Sequence, residues 1–306
     1  MNGCSRRQFI AASASLLLAP EIDLVAAEPN AAAPEPIIDI HQHTNYSGRT
    51  DDQLIAHQRA MGITKTILLP AGRLYGLAAQ CGGNDTVVEV AKRLPGEFVF
   101  FANEVPDVPG AREEIEKYLK LGALGIGEQK FQLEVDSPAM QMICEIAQDH
   151  HVPVLMHFQH ETYNMGIERM PKVLEKFSRV NFIGHAQTWW ANIDKNHSDQ
   201  KVLYPKGKVI PGGLTDRLLA DYPNMFGDLS AGSGLNAIIR DEEHARGFIE
   251  RHQNKLLYGS DCNDTIGRGP GCSGTQMIAA VRRLSPNKAI ERKLFYENAR
   301  RLIKIT

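Results

Sequence analysis

Short apolar runs recur along the chain at residues 37–40, 66–69, 98–102, 124–128, 152–156, 180–183, 225–228 and 256–260, the first of them rich in β-branched residues. A brief apolar run with little polar alternation is the pattern of a strand buried on both faces. Between the runs lie helix signals. Thr50-Asp51-Asp52-Gln53 reads as a capping box opening a helix that stops at Gly62. Helices are predicted at 85–93, closed by Pro95-Gly96, and at 112–121 with Gly122 as its cap. Ser137-Pro138 supplies an N-cap and a first-turn proline for a helix running to about His150. Further helices are expected at 168–177, 215–222, 241–251 and from Ser273 onward, with one long irregular stretch from 186 to about 213. Eight strands, each followed by a helix, predict an α/β protein folded as a single (β/α)8 TIM-type barrel. A doubly wound open sheet is the rival. No G-x-G-x-x-G turn follows the first run and no phosphate-loop motif occurs, so its nucleotide-binding versions lose support.

The first residues do not fit that alternation. Ser5-Arg6-Arg7-Gln8-Phe9-Ile10 precedes an apolar, small-residue stretch, and Val25-Ala26-Ala27 then offers a small-x-small cleavage pattern. Residues 1–27 therefore read as a signal peptide of the twin-arginine type, an address for export of folded protein to the periplasm. An ordinary secretory signal that happens to hold two arginines is the plainer alternative. The export machinery is the one macromolecular partner implied. Residues 28–36, rich in Ala and Pro, read as a flexible entry segment, which leaves 37–306 as the barrel domain. The leader's apolar run is far shorter than the ~20 residues that span a bilayer, so no stable membrane insertion is expected.

Composition narrows the partners. Of 306 residues 43% are hydrophobic, enough for a large core, and 34 Lys plus Arg against 36 Asp plus Glu leave a net charge of −2. There is no basic excess to condense on nucleic acid, so a small molecule is the expected partner. Four cysteines follow the leader. Cys262 and Cys272 flank one Gly-rich loop and are the pair best placed for a disulfide in an oxidising compartment, although isolated buried thiols are the default.

The candidate chemistry sits where the apolar runs end. The first runs into His41-Gln42-His43, the fourth into Glu128-Gln129-Lys130, the fifth into His157, the sixth into His185, the seventh into Asp228 and the eighth into Asp261. In a barrel these C-terminal strand ends converge on one mouth. His41 and His43 are two apart, which on a strand puts both imidazoles on one face. Singly, each of these residues has a bland reading: a surface His-x-His, a satisfied core histidine, an aspartate capping a turn. Together, imidazoles and carboxylates at successive strand ends form a ligand set for zinc or a related transition metal with a position open to water.

These motifs resemble the amidohydrolase superfamily, and within it the amidohydrolase-related branch, which contains hydrolases and nonoxidative decarboxylases. The resemblance rests on Ile38-Asp39-Ile40-His41-Gln42-His43, Gly127-Glu128-Gln129-Lys130, Val154-Leu155-Met156-His157, Phe182-Ile183-Gly184-His185, Gly259-Ser260-Asp261 and the terminal Tyr296-Glu297-Asn298-Ala299-Arg300-Arg301-Leu302. It implies a divalent cation, zinc in the first instance, held by His41, His43 and His157, with Asp261 touching the metal and its water. His185 is implied as ligand to a second metal or as an acid, base or electrophile near the substrate. Two-metal members bridge their ions with a carboxylated lysine or a glutamate on the fourth strand. Glu128 and Lys130 both lie there, so one ion is favoured and two stay open.

The chemistry implied is hydrolysis of an ester, lactone, amide or similar bond, with Asp261 taking the proton from metal-activated water and His185 steadying charge on the substrate oxygen. Decarboxylation of an aromatic or unsaturated carboxylate is the alternative, and a non-catalytic periplasmic binding protein is a third reading, disfavoured by the uninterrupted alternation. His160, Arg73 and Lys130 are candidate substrate contacts, as is Trp189 in the long segment after His185, where an aromatic could stack on a ring or simply pack the loop down. Ser230-Ala231-Gly232-Ser233-Gly234 is expected as a loop over the same mouth. His57, His150, His151, His197, His244 and His252 are assigned no chemistry.

Overall fold

The computed structural model describes residues 35–72 and 80–305. The predicted leader, most of the entry segment and Arg73 lie outside the described residues. Within them the eight strands are all present: β1 (Ile38–Gln42), β2 (Lys65–Leu68), β3 (Phe98–Phe100), β4 (Ile126–Gln129), β5 (Val154–His157), β6 (Phe182–His185), β7 (Met225–Asp228) and β8 (Leu256–Leu257). Helices α1 (Asp51–Met61), α2 (Asn84–Arg93), α3 (Ala111–Lys120), α4 (Pro138–His150), α5 (Met170–Lys176), α6 (Gln187–Ala191) and α7 (Leu214–Asp221) follow the first six strands. After β7 come α8 (Ala231–Ile239) and α9 (Glu242–Arg251), and after β8 come α10 (Ser273–Leu284), α11 (Lys288–Arg292) and α12 (Asn298–Ile303).

The strands pair in parallel as β1-β2-β3 and β4-β5-β6-β7-β8. Two seams close them into a barrel. Beyond β3, Ala102 N–H donates to the Gly125 carbonyl and the Ala102 carbonyl accepts from Gly127 N–H, both at 2.9 Å; on the other side, Ile40 N–H reaches the Tyr258 carbonyl at 3.2 Å and Asp261 N–H the His41 carbonyl at 2.9 Å. Sequence order is therefore spatial order, the (β/α)8 arrangement expected from the pattern. Ile38, Ile40, Ile67, Leu69, Phe101, Leu155, Ile183, Phe226 and Leu257 fill the interior as one packed cluster, which Leu302, Ile303 and Ile305 join from the C-terminal segment. A larger apolar shell joins strands to helices outside it.

Local signals set most boundaries. Thr50 caps α1 through a complete capping box, and Gly62, at φ 79°, ends it. Ser137 caps α4 with Pro138 in the first turn. Several segments depart from expectation. β5 and β6 pair through to His157 opposite His185, two residues past the apolar run at 180–183, because the barrel interior supplies those imidazoles with polar partners. The helix expected at 168–177 begins as a 3-10 turn, Ile167–Arg169, and α5 then starts at Met170 with Pro171 in its first turn. The stretch after His185 is not irregular at its start but forms α6, and the expected loop at 230–234 is the cap and first turn of α8.

Candidate metal centre

Strict alternation along β1 would send Ile38 and Ile40 inward and the histidines outward. A bulge resolves the conflict. Asp39 pairs with Thr66 and Gln42 with Leu68, so three steps on β1 face two on β2. Across it Ile40 stays in the interior cluster and the His41 and His43 rings still meet inside the barrel, with centroids 5.0 Å apart. Asp39 turns outward to accept from Gln58 of α1 at 2.9 Å, and Gln42 donates to Ser260 Oγ at 2.7 Å. β4 carries the same device, three steps from Ile126 to Gln129 against two on β5, and it aims Glu128. Gly127 makes room for it: at φ 140° a Cβ would stand 2.7 Å from the Leu155 carbonyl oxygen.

The polar strand ends form two donor groups that share Glu128. In the first, His41 Nε2 and His43 Nε2 are 3.2 Å apart. Glu128 Oε2 lies 3.7 and 3.6 Å from them, and Asp261 Oδ1 lies 3.8 and 3.6 Å from the same two nitrogens. In the second, Glu128 Oε1 lies 2.5 Å from His157 Nδ1 and 3.7 Å from His185 Nε2, which is also 3.5 Å from Asp261 Oδ2. Ligands about 2.0–2.2 Å from a tetrahedral ion stand about 3.3–3.6 Å apart, so the first group has the spacing of a cation cage. Asp261 Oδ1 is buried and accepts no hydrogen bond among the described residues, an orphaned carboxylate oxygen of the kind a cation satisfies. These residues fit a divalent metal.

Behind the donors, a further layer sets their tautomers. His41 Nδ1–H donates to Asp228 Oδ2 at 2.7 Å and His43 Nδ1–H to the Leu69 carbonyl at 2.8 Å. Each therefore leaves an Nε2 lone pair facing the cage. His185 turns Nδ1 toward Ser230 Oγ at 3.0 Å and Asp228 Oδ2 at 3.2 Å, likewise presenting Nε2. Trp190 Nε1–H holds the Asp228 carbonyl at 2.8 Å. Asn103 donates to the Glu128 carbonyl at 2.7 Å, and Asn164 to the His157 carbonyl at 2.9 Å. Asp261 itself sits at φ 39°, a left-handed conformation that costs a non-glycine residue on the order of 1 kcal/mol and is held by its backbone bond to His41.

Electrostatics point the same way. Burial works against ionisation of Glu128, Asp228 and Asp261, yet the surrounding imidazoles outweigh it and hold all three below the usual carboxylate range. Burial also opposes charge on His41, and Asp261 and Asp228 outweigh it, so its pKa stands well above the ordinary value. His43 is raised to about 10, with burial opposing and the Cys81 thiol and Asp261 prevailing. In His157 burial wins over Glu128 and pushes the ring down to about 4. A cage that draws protons this strongly draws metal cations in their place.

The remaining candidates separate. Lys130 stays outside both donor groups, half-buried, with Nζ 5.7 Å from the Tyr163 ring centroid; burial opposes its charge, but Glu128 and Asp261 raise its pKa. His160 lines a cavity of about 440 Å³ with Gln159, Thr188 and Asn192, next to the centre through the 3.4 Å contact of Gln159 with His157. Trp189 corrects the stacking reading: it is 0% exposed, stacked on Phe158 at 5.9 Å, and a Cβ at Gly184 would stand 2.5 Å from its ring. It is packing. Sequence reasoning counted Asp228 among the strand ends without giving it a role of its own, placed Ser230 in a loop, and passed over Tyr46. The Tyr46 ring stands edge-on to His43 at 5.1 Å, and the Asp261 charge beside it, with burial, keeps the phenol protonated.

A family model described as amidohydrolase matches residues 71–305. The chain belongs to the amidohydrolase family. It is thus an enzyme of a family that works with divalent metals, and both donor groups contain strand ends inside the matched segment. No curated protein sequence matches it. Among solved structures it resembles 2,6-dihydroxybenzoate decarboxylase from Rhizobium, at 15% identity and a TM-score of 0.57, covering 88% of this amidohydrolase and 99% of that chain. A probable 2-pyrone-4,6-dicarboxylic acid hydrolase from Acinetobacter baumannii with citric acid bound gives 12% identity and 0.59, with 88% and 99% covered. 5-carboxyvanillate decarboxylase from Novosphingobium aromaticivorans, with bound manganese and a nitrobenzoic acid, gives 15% and 0.52, with 83% and 80% covered. At these identities the likeness is one of fold.

Proposed function

We propose that this amidohydrolase is an exported hydrolase of small anionic carbonyl compounds, working with two adjacent divalent cations, zinc in the first instance, on either side of Glu128. The observation that carries the reading is that each Glu128 oxygen belongs to a separate donor group, one of four donors and one of three. His41, His43, Asp261 and Glu128 Oε2 would hold the first ion, and His157, His185 and Glu128 Oε1 the second, whose incomplete set matches a catalytic position open to water and substrate. When bound, the cations supply Lewis-acid polarisation of the substrate carbonyl and ease the ionisation of water. His157 and His185 face the same carboxylate with different ring nitrogens, which supports a second position where one had been favoured from sequence.

The protein groups divide the remaining work. Asp261 is held ionised, with one oxygen free of hydrogen bonds, so it is placed to accept the proton of the attacking water and pass it to the leaving group. Lys130 stays cationic at the edge of the centre and is placed to orient a substrate carboxylate. Tyr46, kept protonated, can donate to developing charge on the substrate oxygen. Hydrolases and decarboxylases among the solved structures of like fold carry carboxylate-bearing names or ligands, which supports an anionic substrate. The twin-arginine pattern supports export of the folded, metal-loaded chain and weighs for hydrolysis over aromatic-acid decarboxylation.

The test is a screen of lactones, esters, amides and aromatic carboxylates in ¹⁸O-labelled water. Label in the product without carbon dioxide release is the expected result. Carbon dioxide released from a carboxylate without labelled hydrolysis product would replace this reading by decarboxylation.

A further inference from the structure

A second group of metal-binding side chains lies outside the centre. His57 of α1, Cys262 after β8 and Cys272 at the start of α10 are all buried, and their ligand atoms lie within 4.8 Å of one another. Cys262 Sγ and Cys272 Sγ are 3.7 Å apart, and Cys272 Sγ is 3.4 Å from His57 Nε2. Thiolates at about 2.3 Å and an imidazole at about 2.0–2.1 Å from tetrahedral zinc stand about 3.8 Å apart as a sulfur pair and about 3.5–3.6 Å apart as sulfur and nitrogen. The observed separations match those edges, and the sulfurs are too far apart for the ~2.05 Å bond of a disulfide. A fourth donor is at hand on either side. Met61 Sδ lies 3.5 Å from Cys272 Sγ, and Asp264 Oδ2 lies 3.8 Å from His57 Nε2.

We propose that His57, Cys262 and Cys272 form a structural zinc site, separate from the catalytic centre, that clamps the loop carrying Asp261. Two thiols, an imidazole and a thioether are a soft donor set suited to zinc, and binding releases the thiol protons to solvent as the thiolates coordinate. Its placement gives it a purpose. Cys262 directly follows Asp261, and its carbonyl accepts from Gln42 Nε2 at 2.9 Å and Arg49 Nη1 at 2.8 Å. Cys272 caps α10, accepting from Thr275 N–H at 3.4 Å. A cation here ties α1, the 262–272 loop and α10 together behind the left-handed turn that aims Asp261. The inference stands independently of the proposed reaction.

Cobalt substitution tests it in a Cys81→Ser background: with the thiol beside His43 removed, the catalytic donors are nitrogen and oxygen only, and a thiolate-to-cobalt charge-transfer band reports this site. The cobalt-loaded full chain should show that band, and zinc content should fall by one ion per chain in Cys272→Ser while the catalytic metal stays. His57→Gln, which keeps both thiols, should weaken zinc retention at this site at least tenfold, and it serves if the serine variant does not fold. A cobalt-loaded Cys81→Ser chain without the band would overturn the proposal. So would an intact wild-type protein two hydrogens lighter than the reduced chain in which, after unfolding, Cys81 and Cys144 are alkylated but Cys262 and Cys272 are not, which would mean a disulfide.

Discussion

Each histidine of the first donor group is useful to a metal because of what holds its other nitrogen. Asp228 does this for His41, and it also lies 3.2 Å from His185 Nδ1, so one carboxylate orients donors of both groups. Asp228→Asn should leave the fold intact and weaken metal retention about 10- to 100-fold, measured by competition with a chromogenic chelator. Asp261→Asn tests a different role: it should retain metal while kcat falls on the order of 10²- to 10⁴-fold. Near wild-type turnover in that variant would remove Asp261 as the base. Most donors could be read from sequence, since a histidine or carboxylate ending an otherwise apolar strand has few other reasons to be there. Asp228 was visible at such an end, but its partner was not, because only the folded barrel brings it against His41. His57 was passed over on a helix for the same reason, its sulfur partners arriving from the far end of the chain.

At the level of elements, the apolar runs and cap residues foretold eight strands and most helices, but not the bulges in β1 and β4. A bulge leaves the composition of a strand unchanged and shows only in the register with its neighbour. Nor could the run of 186–213 reveal that Trp189 and Trp190 are buried, since a loop held down and a loop lining a mouth use the same aromatics. Helix contacts away from the centre are open to test as well. Asp216 of α7 accepts from His252 Nε2 at 2.5 Å and from Arg251 at 3.2 Å, just past and within the last turn of α9. Burial opposes its ionisation, but these partners and the Gly212 amide lower its pKa from 3.8 to about 2. A carboxylate depressed on folding stabilises fully above its unfolded value and loses that contribution as pH falls through the folded one. Asp216→Asn should therefore cost on the order of 1–2 kcal/mol at pH 7, with the gap to wild type closing between pH 3.8 and about 2 in denaturant titrations.

For the whole molecule, the barrel gathers onto one mouth residues from His41 to Asp261, and the near-neutral net charge of −2 says nothing of the three carboxylates and four imidazoles concentrated there. The leader belongs to this scale. If residues 1–27 are a twin-arginine signal, replacing Arg6 and Arg7 together by lysine should leave the precursor in the cytoplasm on cell fractionation, with mature protein lost from the periplasm. The central claim, a metal centre bridged by Glu128, is tested most directly by anomalous X-ray scattering at the metal edge from crystals of the metal-loaded enzyme. The account predicts two peaks flanking the Glu128 carboxylate, one toward His41 and His43 and one toward His157 and His185. A single peak would contradict the bridged pair, and no peak among these residues would contradict the metal centre itself.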